Sequence, residues 1–199
     1  MIDPPIRCTR TADGVSIAFQ VCGTGPPLVV AARCPFSHVQ EEWRVPALRS
    51  WHEAVARQAQ LDRYDSRGTG LSDRSTADFS FAAQLRDLTA LARAAPWRWP
   101  HAATFPARLS HLEFWTAYGR GADLPAAVHR LGRLVREDST LYTEVAARSV
   151  YGWQPDDPAR QDAAFLRTCV TPAALAANEA ALQALDATWA LPRITTPRS

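Results

Sequence analysis

The chain has 199 residues, of which 47% are hydrophobic and 21% are charged, a composition typical of a soluble globular protein with one domain or with a core and a small appendage. Its net charge of +2 is too small to indicate a polyanionic partner, which argues against nucleic-acid binding. All 22 positively charged residues are arginines, which excludes a Schiff-base lysine and a P-loop lysine.

The cysteines indicate neither a metal site nor a disulfide framework. Cys8, Cys22, Cys34 and Cys169 lack the C-x-x-C spacing of zinc sites, so they are predicted to be free thiols in a reducing compartment. The N-terminus has no basic and apolar leader, and no apolar run approaches the roughly 20 residues of a membrane span. We therefore expect a cytoplasmic protein without a membrane segment, a cofactor or a metal.

The first elements in chain order are predicted strands. Asp13-Gly14 is a turn signal, and residues 15–21 alternate between apolar and polar side chains, which predicts a strand paired in a hairpin with the segment before it. Residues 28–32 form a continuous apolar run, which is typical of a parallel strand buried on both faces. A third strand is expected to end at residues 61–64.

Two helices are predicted around the third strand. Residues 41–60 carry apolar side chains at helical spacing, entered or broken at Pro46, so that a strand, a helix and a strand form a βαβ unit. Asp78 and Ser80 offer an N-cap for a second helix, which is expected to run to about Ala95.

The second half of the chain changes character. Residues 96–100 read Pro-Trp-Arg-Trp-Pro and predict an irregular connection, whereas residues 109–115 alternate like a strand. Four helical patterns follow, with Asp157 and Thr171 as N-caps of the last two; they cover residues 126–136, 141–150, 158–169 and 172–189. The segment is predicted to be an all-helical appendage.

The most distinctive motif is Asp-Ser-Arg-Gly-Thr-Gly-Leu-Ser-Asp at residues 65–73, where a predicted strand ends in an acid and a tight turn. The glycines permit sharp turning, Arg67 is expected to pair with a carboxylate such as Asp65 or Asp73, and Ser72 is expected to act as a cap. These roles make the motif a structural scaffold formed by Asp65, Arg67, Gly68, Gly70, Ser72 and Asp73.

This motif, together with Pro-Pro-Leu-Val-Val at residues 26–30 and Pro-Phe-Ser-His at residues 35–38, resembles the N-terminal half of an α/β-hydrolase. The helical block resembles the cap of that family. The resemblance implies an α/β fold: a partial α/β-hydrolase parallel sheet flanked by helices over residues 1–118, an all-helical cap over residues 119–192, and a tail at residues 193–199 where the core would resume.

The resemblance does not extend to the family's catalytic machinery. Catalysis there needs a nucleophile on a Gly-x-Ser-x-Gly turn, with an acid and a histidine after the cap. This chain has no glycine between Gly70 and Gly119, and its last histidine is His129. No catalytic residue is therefore predicted. In the loop after residues 28–32, the backbone N–H of Cys34 matches the usual oxyanion donor.

We therefore expect a protein that descends from a hydrolase of small apolar esters or similar bonds and is inactive as this chain stands. The alternative is a non-catalytic module that uses the cap and pocket to bind a small apolar ligand or a partner. An unpaired sheet edge would favour a homodimer. A frameshifted gene product is a further possibility, whereas a purely helical regulator conflicts with the short apolar runs between turns.

Overall fold

The protein is described by a computed structural model over residues 3–94, 118–153 and 157–193. Four strands form one sheet in the order β1-β2-β4-β3; they are β1 (Arg7–Arg10), β2 (Ser16–Cys22), β3 (Pro27–Val30) and β4 (Gln60–Tyr64). The predicted connection at residues 96–100, the strand predicted at residues 109–115 and the tail from residue 194 lie outside the described residues.

The hairpin predicted from Asp13-Gly14 is confirmed. β1 and β2 pair antiparallel, with Arg7 opposite Phe19, and the turn between them closes through a hydrogen bond from the Thr11 N–H to the Val15 carbonyl at 2.9 Å. Gly14 has a φ of +88°, which is favourable only for a residue without a Cβ. The turn signal in the sequence therefore identified the hairpin.

The predicted α/β class is confirmed, but the sheet is mixed rather than parallel. β3 and β4 are parallel, with Leu28 opposite Leu61, and the intervening helix makes them the predicted βαβ unit. β2 instead meets β4 antiparallel, with Phe19 opposite Tyr64. Among the described strands, the parallel arrangement is therefore confined to the unit whose crossover requires it.

Strand β3 is less buried than the apolar run at residues 28–32 predicted. It spans Pro27–Val30 rather than residues 28–32, and Leu28 is 43% exposed. The reason is topological, because β4 covers one edge of β3 and no other described strand pairs with the second edge. The homodimer expected through such an edge stays a prediction.

Helices cover both faces of the sheet. The helix predicted over residues 41–60 is shorter: α1 (Pro46–Ala56) begins at Pro46, one of the two roles predicted for that residue, after a 3-10 turn at Glu41–Arg44. It packs with Leu61 and Trp43 on one face. α2 (Phe81–Ala94) places Leu91 against Ile17 on the other. The sheet is thus the middle layer of a three-layer core.

From residue 118 onward, the described part of the chain is helical, as predicted. Its helices are α3 (Ala126–Glu137), α4 (Ser139–Tyr151), α5 (Asp157–Cys169) and α6 (Pro172–Gln183). Thr171 caps α6 by accepting a hydrogen bond from the Ala174 N–H at 3.2 Å, whereas Asp157 is the first residue of α5 rather than its N-cap. None of the helices in the described ranges is long and apolar enough to cross a membrane.

The last helical pattern was predicted to run to residue 189, but α6 ends at Gln183. A 3-10 helix follows separately at Thr188–Arg193. Between them, the Asp186 carboxylate accepts hydrogen bonds from the N–H and the hydroxyl of Thr188 at 3.0 and 2.6 Å. This side-chain turn competes with helical hydrogen bonding and starts the new segment.

One buried charge in the sheet has no hydrogen-bond partner. Asp62 lies on β4 opposite Val21 of β2 and Val29 of β3, and it is 1% exposed. Neither of its carboxylate oxygens accepts a hydrogen bond from the described residues. Burial raises the pKa of Asp62 to about 7, because an isolated charge is poorly solvated among apolar side chains.

Replacing Asp62 with asparagine should stabilise the protein at neutral and alkaline pH. The folded-state pKa of about 7 lies above that of the unfolded chain, so stability is lost as pH rises from about 4 to about 7. At pH 8, Asp62→Asn should gain roughly 2–4 kcal/mol in the free energy of unfolding, and at pH 4 it should be close to wild type. Urea unfolding at both pH values measures this, and an equal effect at both would contradict it.

Candidate ligand site between the core and the cap

The motif turn, residues 65–74, begins where β4 ends and is built around the carboxylate of Asp65. This side chain is fully buried and accepts hydrogen bonds from the backbone N–H groups of Val39 and Leu71 at 2.8 and 2.9 Å. Burial raises the pKa of Asp65 to about 6, although the two N–H donors oppose that rise. One carboxylate thus connects the motif turn to the loop that follows β3.

The glycines of the motif are needed for the turn, as the sequence predicts. Gly68 and Gly70 have φ values of +78° and +51°. A Cβ on Gly70 would also lie 2.1 Å from Asp65 Oδ2, far inside van der Waals contact. The carboxylate therefore occupies the space that a side chain at position 70 would need.

The expected partners of Arg67 are wrong. Its guanidinium does not pair with Asp65 or Asp73; it donates to Asp87 Oδ1 of α2 at 2.8 Å and to Asp13 Oδ2 of the hairpin turn at 2.9 Å. Asp65 is already engaged by backbone amides, and Asp73 accepts hydrogen bonds from Ser75. Arg67 is 1% exposed and therefore joins three segments from inside the core.

Electrostatics support a permanently charged Arg67. Burial works against its charge, but the hydrogen bonds from the guanidinium to Asp87 and Asp13 outweigh this and raise the pKa of Arg67. The hydrogen bond with Arg67 in turn holds the pKa of Asp13 well below its usual range. Burial raises the pKa of Asp87, and its hydrogen bond with Arg67 opposes that rise. Removing the arginine would therefore leave a buried carboxyl group without its partner.

Ser72 is a bridge rather than the cap of a helix. Its Oγ donates to the Asp65 carbonyl at 2.7 Å and accepts from the Ala18 N–H of β2 at 2.9 Å. Asp73 adds a backbone hydrogen bond to Ser16 of the same strand at 2.8 Å. Both residues attach the motif turn to β2, and the Ser72 hydroxyl has a donor and an acceptor in the scaffold.

The helices α3–α6, which we call the cap, are hydrogen-bonded to this turn. The Gly70 N–H donates to the Cys169 carbonyl at the end of α5 at 2.7 Å, and Thr69 forms an antiparallel bridge with Val170. The guanidinium of Arg74 also donates to the Thr168 carbonyl at 2.8 Å. The motif turn is therefore the point where core and cap are hydrogen-bonded together.

A hydroxyl cluster links the turn to the β3 loop, which we define as residues 32–40. Ser37 Oγ and Thr69 Oγ1 lie 2.8 Å apart, and Ser66 Oγ lies 3.2 Å from the same Thr69 atom. All three side chains are buried. The cluster holds the β3 loop beside the turn without adding a charge.

The β3 loop also contacts the cap directly. The thiol of Cys34 donates to Asn178 Oδ1 of α6 at 2.9 Å, and the ring of Phe36 stacks on Tyr142 of α4 with centroids 6.3 Å apart. The Cys34 N–H, the predicted oxyanion donor, donates to the Ala32 carbonyl at 2.8 Å. That role for Cys34 stays a prediction.

The apolar side of this junction belongs to the cap. Phe36 and Ala177 pack against the buried cluster formed by Phe79, Val135, Tyr142, Val170, Ala174 and Leu175. The Tyr142 hydroxyl donates to Glu179 Oε1 at 3.2 Å, and burial raises the pKa of Glu179. A ligand held here would meet thiol and hydroxyl groups on the loop and turn, and an amide and apolar surface from the cap.

Histidines do not assemble a catalytic pair in the parts of the chain that the structure describes. His38 Nδ1 accepts a hydrogen bond from the Glu41 N–H. His52 is buried beside Glu42, and burial lowers the pKa of His52 to about 3. No described histidine is hydrogen-bonded to a serine or cysteine side chain, and His101 and His111 lie outside these ranges. Nor do the described His, Cys, Asp and Glu side chains form a group that could hold a metal ion.

The sequence did not indicate Asp87, Thr69 or Asn178 as parts of this junction. Each makes its contact with a residue at least 20 positions away, as in the hydrogen bond between Cys34 and Asn178 with a separation of 144. Asn178 is also the chain's single asparagine, lying in an alanine-rich helix. Its isolated polar character was the available signal.

No protein-family model and no curated protein matches the chain. Solved structures do resemble it. A hydrolase from Pseudomonas aeruginosa PA01 is 21% identical, with a TM-score of 0.71 over 97% of this chain and 78% of that one. An esterase from Exiguobacterium antarcticum is 15% identical, with a TM-score of 0.70 over 96% and 78%. An enol-lactonase from Burkholderia xenovorans LB400 is 16% identical, with a TM-score of 0.67 over 98% and 79%.

These structural neighbours confirm the α/β-hydrolase fold predicted from the motif turn. Each comparison covers nearly all of this chain and about four fifths of the neighbour. At such low identities the likeness concerns the fold. The protein therefore has an α/β-hydrolase fold, and its chemistry has to be argued from its own residues.

Adding a methyl group at Gly70 should destabilise the protein much more than the same change at Gly14. Both residues have positive φ, so alanine is strained at either by about 1 kcal/mol. Only at Gly70 does the new Cβ also overlap the Asp65 carboxylate, whereas Gly14 has open space. Urea unfolding should show a loss of about 1 kcal/mol for Gly14→Ala and more than about 3 kcal/mol for Gly70→Ala; equal losses would contradict the packing argument.

Removing the guanidinium of Arg67 should be costly because the buried carboxyl group of Asp87 would lose the hydrogen bonds that it accepts from Arg67. We expect Arg67→Met to lose about 3–5 kcal/mol in the free energy of unfolding. The double variant Arg67→Met/Asp87→Leu should recover part of that loss, since no carboxyl group is then left there without its partner. A double-mutant cycle measured by urea unfolding tests this, and strictly additive losses would show that the two residues do not act as a pair.

Proposed function

We propose that this protein binds a small, apolar ester or similar carbonyl compound at the junction of core and cap, and that it does not hydrolyse its ligand by the nucleophile mechanism of α/β-hydrolases. The observation that carries the proposal is that this junction is held from two sides. Backbone hydrogen bonds seat the cap on Gly70 of the motif turn, and the Cys34 thiol connects the β3 loop to α6.

The chemical character of the junction supports a neutral ligand. Its polar atoms come from the hydroxyl groups of Ser37, Ser66 and Thr69, the thiol of Cys34 and the amide of Asn178. The ring of Phe36 in the β3 loop and that of Tyr142 in the cap add an aromatic pair. Sites of mixed apolar walls and a few placed polar groups are typical of small-molecule binding.

We propose no hydrolysis because the hydroxyl of Ser72 and the thiol of Cys34 are engaged in hydrogen bonds with groups that are not bases. Ser72 is 4% exposed, and its Oγ is hydrogen-bonded to two backbone groups. Cys34 has an amide oxygen rather than a base as its partner. A nucleophile needs a base within hydrogen-bond reach, and no described residue offers that pair. No glycine lies between Gly70 and Gly119 to form a nucleophile turn.

Hydrolysis of a small ester is the second candidate function, and the structural neighbours favour it, since they include an esterase and an enol-lactonase. The two candidates differ in one measurable property. A binding protein should be stabilised by a ligand without consuming it, whereas an enzyme should turn the ester over.

The test combines turnover and binding in the same protein. We expect 4-nitrophenyl butanoate to be hydrolysed no faster than with heat-denatured protein, because loss of the triad costs on the order of 10⁶ in rate. Pentan-2-one, a ketone that cannot be hydrolysed, should raise the melting temperature by roughly 3–6 °C at ten times its Kd.

Variants identify the source of any activity that is observed. Turnover that disappears in Ser72→Ala or Cys34→Ala would overturn the proposal in favour of catalysis. Ser149→Ala, a surface control, should keep the turnover and the melting temperature of the wild type. An unchanged melting temperature at saturating ketone would also overturn it, because the junction would then hold no small carbonyl compound.

A further inference from the structure

Asn178 is a buried amide whose nitrogen has no hydrogen-bond partner. The residue is 6% exposed, and its Nδ2 is closed to solvent without an acceptor among the described residues. An amide donor left unpaired in the interior costs free energy. Native proteins keep few such groups, and each calls for a physical explanation.

Helix α6 does not need an amide at this position for its own stability. Its sequence, Pro-Ala-Ala-Leu-Ala-Ala-Asn-Glu-Ala-Ala-Leu-Gln, is otherwise dominated by alanine and leucine, which are better helix formers than asparagine. Leu175, one turn earlier, lies in the apolar cluster of the cap. An alanine or leucine at position 178 would remove the unpaired donor, so helix formation does not explain the amide.

The amide is held in a defined orientation by the β3 loop. The Cys34 thiol donates to Asn178 Oδ1 at 2.9 Å, and the loop that carries Cys34 is tied to the motif turn through Ser37. With Oδ1 used as the acceptor of the thiol, the remaining capacity of the side chain is donation from Nδ2.

We infer that Nδ2 of Asn178 donates a hydrogen bond to the carbonyl oxygen of the ligand, an inference that rests on the proposed binding function. The apolar part of the ligand lies toward the cluster that contains Phe36 and Leu175. The junction's thiol, amide and hydroxyl groups are uncharged, which favours an ester, lactone or ketone over a carboxylate. Because Nδ2 is closed to solvent in the free protein, the ligand has to displace the side chains that cover it, while the Cys34 thiol keeps Oδ1 occupied.

Asparagine-selective ¹⁵N labelling gives a direct view of this contact. Since Asn178 is the chain's single asparagine, the labelled protein has one side-chain amide group, whose two proton signals need no further assignment. Pentan-2-one should shift these signals in a saturable manner. Its counterpart 2-methylpent-1-ene, which has the same shape and no acceptor oxygen, should leave them close to their free positions.

Affinity measurements on variants complete the test. We expect Asn178→Leu to bind pentan-2-one about five- to ten-fold more weakly, the loss typical of one hydrogen bond, and to bind 2-methylpent-1-ene as tightly as wild type. Ser149→Ala, an exposed position on α4, should bind both like wild type. Asn178→Ala serves in place of Asn178→Leu if the larger side chain lowers the melting temperature.

The outcomes separate the two proposals. If neither ligand binds the wild-type protein, the proposed function fails and this inference falls with it. If the ketone binds but its affinity is unchanged in the Asn178 variants and the amide signals stay in place, the binding function stands and the role of Asn178 is refuted. Selective loss of ketone affinity together with the amide shift supports both.

Discussion

The buried carboxylate of Asp65 is the constraint on which the core–cap junction depends. It accepts hydrogen bonds from the N–H groups of Val39 and Leu71, and so it fixes the β3 loop and the motif turn in one arrangement. Its two oxygens fill the space beside Gly70. Because its hydrogen-bond donors are backbone N–H groups, the carboxylate cannot move without losing a hydrogen bond to the β3 loop or to the motif turn. The carboxylate therefore also positions the cap, since the N–H of Gly70 donates to the Cys169 carbonyl.

A second buried cluster connects the same turn to the rest of the core. Arg67 leaves the turn in the other direction and joins Asp87 of α2 to Asp13 of the hairpin turn. Ser72 adds a bond to Ala18 of β2. The turn, residues 65–74, thus contacts the hairpin, the sheet, α2 and the cap. Local stability and the position of the cap are therefore coupled through one short segment.

Much of this fold follows from local sequence patterns. Asp13-Gly14 specified a hairpin, Pro46 the start of α1 and Thr171 the cap of α6, because each acts on backbone within four residues of itself. Burial of Leu28 was overestimated, since exposure depends on which strand occupies the neighbouring edge. The partners of Arg67 were missed for a related reason: Asp13 and Asp87 lie 54 and 20 positions away, and chain proximity favoured Asp65 and Asp73 instead.

The contacts of the motif turn show that folding alone accounts for its residues. Its acid, arginine and serine are all engaged in the scaffold through Val39, Asp87 and Ala18, and none presents a free reactive atom. Substitution of Arg67 would leave the buried carboxyl group of Asp87 without its partner, and a side chain at position 70 would force a Cβ into the Asp65 carboxylate. Selection for folding alone is thus sufficient to keep the motif. Cys34 and Asn178 lie outside this scaffold, and there a thiol and an amide with an unpaired nitrogen meet at a junction that folding could have built from alanine and leucine.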